Sequence, residues 1–318
     1  MASKKDIRGA SLNGKRIALI SLAAVALLLA AGLLALYFGG FRYMKVKYVS
    51  ALSQEDEEIS FIGFVNKDGS IKRGSLTSAA KSGKVAKNAE GLYVITYSGG
   101  DRYTGEMDGL QRQGYGVMEY ASGDRYEGSF SADKFQGQGK YEYLSGDCYE
   151  GQFAAGKKNG QGVYTWYDDE GEVLATYTGA FSGDRRNGYG VFAGADGTTY
   201  AGNFVNDVRS DTSAEVLIPV ENGVDRYFGG YKNDVRSGFG YYFYAGGNVY
   251  VGFFENNKPE GQGTIYFAAG SSYTGTFVNG NLQRDGSETL TEEEVSSFFE
   301  SLNEETNPIT GEPSVLGG

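Results

Sequence analysis

The chain contains no histidine, one cysteine (Cys148), one tryptophan (Trp166) and four prolines in 318 residues. Without histidine, the usual general base and the commonest metal ligand are missing. Most serine- or cysteine-nucleophile mechanisms and zinc hydrolysis fall away with it. A lone cysteine excludes an intrachain disulfide framework. Gly-x-Gly pairs occur, but each leads into an apolar pattern of period two rather than a helix, which excludes a dinucleotide fingerprint. Asp168, Asp169, Glu170 and Glu172 lack the ligand order of a calcium-binding loop. The expectation is a protein that is not an enzyme and needs no metal or cofactor.

What is abundant is glycine (50), tyrosine (25) and phenylalanine (19). No Gly-X-Y period accompanies the glycine, so collagen is excluded. The aromatic content opposes disorder. Charge is unevenly placed. Residues 1–50 carry eight Lys/Arg against Asp6, and residues 51–318 carry 21 basic against 39 acidic residues. An acidic body repels phosphate polymers, so nucleic acid is not an expected partner.

Residues 17–41 carry no charge, and Ile17–Phe38 is rich in Leu, Ala and Ile. At about 1.5 Å per residue such a run spans a hydrocarbon core of about 30 Å. A transmembrane helix over 17–41 is expected, with a basic segment at 1–16. Five cations precede the span and three follow it, which predicts a single-pass membrane protein with its C-terminal body outside the cytoplasm.

Beyond the span the sequence repeats. Tyr-x-Gly recurs with tyrosine at 103, 126, 149, 177, 200, 227, 250 and 273, at intervals of 23, 23, 28, 23, 27, 23 and 23 residues. Six of these tyrosines are followed eleven residues later by Gly-x-Gly, at 114/116, 137/139, 160/162, 188/190, 238/240 and 261/263. Apolar residues alternate within each repeat, which is the period of a strand. Each repeat therefore reads as a β-hairpin, and hairpins must pair with one another because two strands alone are marginal. A single layer of strands needs a cover. Tyrosine and phenylalanine rings lying across glycines on the same face supply one, so bulk at Gly139 or Gly162 should collide with a ring.

The fragments YEGSF (126–130), GQG (137–139), YEGQF (149–153) and GQG (160–162) resemble the MORN-repeat family (membrane occupation and recognition nexus). The resemblance covers residues 91–286. It implies an all-β fold: an elongated, single-layer antiparallel β-meander of stacked hairpins. To this the sequence adds the N-terminal transmembrane helix and a short C-terminal helix. The family also implies scaffolding, dimer formation and attachment near membranes, with phospholipid binding as an alternative role. The third repeat departs from the pattern by the insertion Asp168–Glu172. The fifth has Asp211 and Ser213 where Gly-x-Gly is expected, and the eighth has Arg284.

Residues 42–90 form a segment beside the membrane in which 59–76 resembles a degenerate hairpin. Residues 287–318 predict an acidic capping helix, with Val295, Phe298, Phe299 and Leu302 at helical spacing, and a disordered tail from Asn307. Two candidate surfaces follow. An aromatic groove would comprise Tyr103, Tyr126, Tyr149, Tyr177, Tyr200, Tyr227, Tyr250, Tyr273, Tyr141, Tyr164 and Trp166. A basic edge would comprise Lys157, Lys158, Arg185, Arg186 and Arg236, opposite an acidic edge of linking turns. The expected function is a membrane-anchored scaffold that binds a protein partner or itself. A glycan or cell-wall-binding module and a phospholipid-binding array are the alternatives.

Overall fold

The computed structural model describes Leu33 and residues 39–49, 56–77, 82–283, 292–302 and 306–316. Among the described residues it is an all-β antiparallel meander of 22 strands with a short C-terminal helix. Two compact units are present, residues 1–121 and 122–318. The first contains β1 (Phe41–Val49) through β7 (Gln111–Glu119), and the second β8 (Arg125–Ser131) through β22 (Asn281–Leu282) and α1 (Glu292–Ser301). Within each unit strands pair with their sequence neighbours, apart from β14 (Thr199–Val205), which pairs with both the two-residue β15 (Val208–Arg209) and β16 (Asp211–Val220).

The expected membrane placement is overturned. Among the described residues no helix is long and apolar enough to cross a membrane. Most of 17–41 lies outside the described residues, but its last residue, Phe41, opens β1. Gly40 has a left-handed φ of 89°, and its carbonyl accepts the Val65 amide at 2.7 Å. A helix running to Phe41 is incompatible with that conformation, so the chain enters the sheet here.

The hairpins follow from local chemistry. Two-residue turns such as Asn206–Asp207 and Asn256–Asn257 hold both residues at positive φ, the geometry that matches the twist of paired strands and that Asn, Asp and Gly tolerate best. The linking turns are fastened by a carboxylate or amide two residues before the next tyrosine. Asp124 Oδ1 accepts the Leu144 amide at 2.8 Å, Asp147 Oδ1 the Tyr167 amide at 3.2 Å, and Asp225 Oδ1 the Ala245 amide at 2.8 Å. The acidity of this edge thus has a structural cause: each of these aspartates ties one linking turn to the next.

The core of the second unit is a chain of rings meeting mostly edge to face. Tyr126 meets Phe153, Tyr149 meets Phe181, Tyr177 meets Phe204, Tyr200 meets Tyr231, Tyr227 meets Phe254 and Tyr250 meets Phe277, with centroids 4.9–5.2 Å apart. Each tyrosine also contacts the aromatic ring four residues on in its own strand, as Tyr149 does Phe153 at 5.1 Å. Edge-to-face geometry is the preferred arrangement of aromatic quadrupoles. Burying each ring contributes about 2–3 kcal/mol.

The expected cover over glycine is present, and it assigns different duties to the two glycines of each pair. In β10 (Cys148–Ala154) and β11 (Lys157–Tyr167), Gly151 faces Gly162 and Tyr149 lies across both. A Cβ on Gly162 would sit 2.5 Å from Tyr149 Cε2. The first glycine, Gly160, instead has φ 98°. It lies where the register shifts, so that Phe153 pairs with Lys158 and one residue of β10 faces three of β11. Such an irregularity needs a residue free to adopt left-handed conformations. The Tyr149 hydroxyl closes the motif by donating to the Gln152 carbonyl at 2.9 Å. The same phenol-to-carbonyl bond recurs from Tyr103, Tyr126, Tyr177, Tyr200, Tyr227 and Tyr250 at 2.6–3.0 Å. Tyr149→Phe should lower stability by about 1–2 kcal/mol by leaving a shielded carbonyl unpaired, measurable by urea denaturation.

In the fifth repeat the residue under the ring is not at the expected position 213. Ala214, one residue further on, lies beside Gly202 beneath Tyr200, with its Cβ 3.1 Å from where a Gly202 Cβ would be. An extra residue between the short β15 and β16 causes the offset. Arg284 of the eighth repeat lies outside the described residues. Asp168 of the third-repeat insertion organises its own turn, accepting the amides of Glu170 and Glu172 at 3.0 and 2.8 Å.

Candidate functional site

The groove predicted from sequence divides into core and surface. Tyr103, Tyr126, Tyr149, Tyr177, Tyr200, Tyr227 and Tyr250 are buried; they are the roofing residues and touch no solvent. Tyr273, in the last long strand, is half-buried. The second-strand aromatics Tyr141, Tyr164 and Trp166 are also half-buried and present part of their rings outward. With Tyr143 and Phe192 they form a ladder. Centroids are 4.6 Å apart for Tyr141–Tyr143, 5.8 Å for Tyr143–Tyr164, 4.5 Å for Tyr164–Trp166 and 6.1 Å for Trp166–Phe192. Two rungs are held by the aspartates that fasten the linking turns. Tyr141 donates to Asp124 Oδ2 at 3.2 Å and Tyr164 to Asp147 Oδ2 at 3.1 Å.

The predicted basic edge also divides. Lys157 and Arg185 are exposed. Lys158, Arg186 and Arg236 lie over rings instead. Lys158 Nζ is 4.7 Å from the Tyr164 centroid, the Arg186 guanidinium 4.9 Å from Phe204, and the Arg236 guanidinium 4.9 Å from Tyr242. All three occupy the position nine residues after the repeat tyrosine, as do Arg112, Arg209 and, in the second repeat, Phe135, which stacks on Tyr126 at 3.7 Å. Their backbones also clip successive hairpins together. The Arg186 amide donates to Asp207 Oδ1 at 2.9 Å while its Nη2 reaches the Asp207 carbonyl at 2.9 Å. Arg209 and Asp234 repeat the arrangement, as do Arg236 and Asn257. These cations are structural clamps rather than a free edge. The sequence carried the signal: position nine has the same parity as Gly162 and Tyr164, which places it on the ring face. Arg236→Ala should lower stability by about 1–2 kcal/mol, readable as a lower urea midpoint.

Burial raises the Tyr143 and Tyr164 hydroxyls. Tyr143 is pushed up to about 12 by burial and by the nearby carboxylates Asp184, Asp124 and Asp147. Burial likewise lowers Lys158, against the pull of Asp184 and Asp207, and Lys158 Nζ donates to the Tyr143 hydroxyl at 3.2 Å. At neutral pH the ladder therefore offers the neutral phenols of Tyr143 and Tyr164 beside the cations Lys158 and Arg186. Cys148 lies on the opposite, polar face, half-buried, with burial raising its thiol.

The family model for the MORN repeat matches residues 103–125, 126–148, 149–170, 177–199, 227–249 and 250–272. The chain is a MORN-repeat protein. Each matched MORN segment starts on a roofing tyrosine. The stretch that opens at Tyr200 and has Ala214 beneath its ring is skipped, as is the terminal Tyr273. A MORN array of this kind is a repeat-based interaction scaffold. No curated protein matches the chain. Among solved structures, the TCP10 domain of Danio rerio CPAP in complex with a peptide of Danio rerio STIL is 11% identical, with a TM-score of 0.39, covering 77% of this chain and 100% of that one. The TCP domain of Drosophila melanogaster SAS-4 (dCPAP), in complex with a proline-rich motif of Ana2 (dSTIL), is 16% identical, with a TM-score of 0.26, covering 61% and 90%.

Proposed function

We propose that this MORN-repeat protein is a scaffold that captures a protein segment, from a partner or a second copy, on the Tyr141–Tyr143–Tyr164–Trp166 ladder. The observation that carries this reading is the half-burial of the ladder rings. Rings fully inside the hairpins hold the fold, whereas these present faces that a partner's apolar and proline side chains can cover. Aromatic residues in such positions supply large contact area at low entropic cost. The Lys158 ammonium, 4.7 Å from the Tyr164 centroid, favours a segment bearing carboxylates. The single tryptophan and the strongly acidic composition of residues 51–318 make glycan stacking and anionic lipid weaker readings.

The test is capture of partners by proximity labelling with the intact protein, compared with the Tyr143→Ala/Trp166→Ala variant. The partner signal should fall at least about tenfold, as for loss of hot-spot aromatics, while circular dichroism and melting stay near wild type. Undiminished labelling in a folded variant overturns the reading.

A further inference from the structure

The face of the sheet opposite the ring cover changes character along the second unit. Early in it, this face carries Arg125, Glu127, Lys140, Glu142 and Glu150, with ion pairs from Arg125 and Lys140 to Glu142 at 3.2 and 2.7 Å. Such a surface is at home in water. From β17 (Gly223–Lys232) onward the corresponding positions are Phe228, Phe243, Val249 and Tyr266. Phe228 and Val249 are buried, although the sheet has no second layer of strands.

The C-terminal segment covers them. Phe298 of α1 stacks on Tyr266 with centroids 3.8 Å apart and planes 8° from parallel. Phe299, Leu302 and Pro308 share a cavity of about 270 Å³ with Phe228, Phe243 and Val249. The tail was expected to be disordered from Asn307 onward, but residues 306–316 form a closed turn. Thr306 bridges Pro313, and the Asn307 amide donates to the Glu312 carbonyl at 2.8 Å. The Asn307 side chain donates to the Ser213 carbonyl at 3.2 Å.

The turn ends at a charged group where an apolar cover would not be expected. Glu215 is 2% exposed. It accepts the Val315 amide at 2.8 Å on Oε2 and the Ser314 hydroxyl on Oε1, and Arg226 Nη2 donates to the same hydroxyl at 3.3 Å. A buried carboxylate is costly unless donors reach it. Glu215 therefore selects for what the segment brings: a hydroxyl and a free amide, set beyond the phenylalanines of α1 and the turn prolines Pro308 and Pro313.

We propose that this outward face is a peptide-binding site which the chain fills with its own C-terminal segment, and which the same segment of a second copy can fill in exchange. Three observations carry the inference. The face turns apolar where the segment lies. The polar contacts are matched donor to acceptor and run through side chains rather than through extension of the sheet. Cover is incomplete, because Phe239 and Phe253, neighbours on this face, stay 43% and 54% exposed, and Phe239 shares an open pocket with Ile309, so the resident segment is held loosely enough to exchange. A second copy is the occupant committed to because its segment meets every one of these requirements by identity. This site is separate from the aromatic ladder and does not depend on that reading.

The test uses the full chain and a labelled peptide of residues 292–316. In the full-length Phe299→Ala/Ser314→Ala variant the resident segment is weakened, so the peptide should bind saturably and at least about tenfold tighter than to wild type, where the tethered segment competes at high effective concentration. A peptide carrying the same two substitutions should lose at least that factor, and this arm cannot be confounded by misfolding of the protein. At high concentration the wild-type chain should form a dimer that excess peptide dissociates. Equal binding of the two peptides, or none to the variant chain, overturns the site; a wild-type chain that stays monomeric overturns the exchange.

Discussion

Gly162→Val should destabilise the second unit by about 3 kcal/mol, whereas Gly137→Ala should cost about 1–2 kcal/mol. The two substitutions fall on similar-looking glycines, yet they meet different physics. A side chain on Gly162 runs into the Tyr149 ring at 2.5 Å, and that ring is pinned by its bond to the Gln152 carbonyl and by Phe153 and Phe181. The ring cannot swing aside without opening the core. Gly137 has φ 69° and its added Cβ would meet nothing nearer than Ser129 at 3.7 Å, so its penalty is one of backbone conformation alone. Urea denaturation of both variants measures the difference. Adding Tyr149→Ala to Gly162→Val should cost less than the sum of the single effects, because the truncation vacates the space the valine needs. Equal losses at the two glycines, or strict additivity in the double variant, would argue against rings acting as the cover.

The second large effect is alkaline unfolding. Burial pushes Tyr149, Tyr177 and Tyr250 up to about 12, from an ordinary value of 10.0, and Tyr200 and Tyr227 are raised further, again chiefly by burial. Each is an acid whose folded-state pKa lies above its unfolded one. The folded chain therefore holds these protons more tightly, and their contribution is fully present below the unfolded value. It is lost as pH rises through the folded values. Because the rings form one chain, ionising any of them undermines its neighbours. The β-sheet signal should hold past pH 10 and collapse in one steep transition near 12, with tyrosinate absorbance rising in the same step. The exposed tyrosines, such as Tyr115, titrate without unfolding; absorbance that reaches its full tyrosinate value around the ordinary tyrosine value while the sheet signal stays constant would show that the roofing tyrosines are not buried.

The hairpins and the ring cover were legible because their signals are local and repeat. A period of two, a turn signal and a tyrosine two residues before a glycine define them within one stretch of chain. The separate roles of Gly160 and Gly162 were not legible, since only the register shift between β10 and β11 tells a conformational glycine from a covered one. The division of the basic edge was open to a parity argument: Lys158 shares the register of Tyr164 whereas Lys157 does not. That argument fails where loops are read as turns of net charge rather than as strand ends. The aspartate two residues before the tyrosine is likewise a repeated signal, visible at 101, 124, 147 and 225. The helix Glu292–Ser301 was legible from its apolar spacing, but the turn 306–316 was unreadable for a different reason. Its partners Glu215 and Arg226 lie about ninety residues away, and nothing within residues 306–316 announces them. The outward aromatics Phe239, Tyr241 and Phe243 stand in the sequence, but an alternation that is aromatic on both faces does not say what would cover them. The expected span to Phe41 failed at its end because hydropathy scores a run of residues, whereas the left-handed Gly40 and the pairing of Phe41 with Phe64 turn the chain into the sheet there.

A tyrosine ring lies flat over the second glycine of each Gly-x-Gly pair and not over the first. The most direct measurement is the proton NMR spectrum of glycine-labelled protein, in which a proton above a ring face is shifted strongly upfield. The α-protons of Gly116, Gly139, Gly162, Gly190, Gly240 and Gly263 should show that shift, while those of Gly137, Gly238 and Gly261, beside which no ring stands, should resonate near ordinary glycine positions. Upfield shifts on both members of each pair, or on neither, would contradict it.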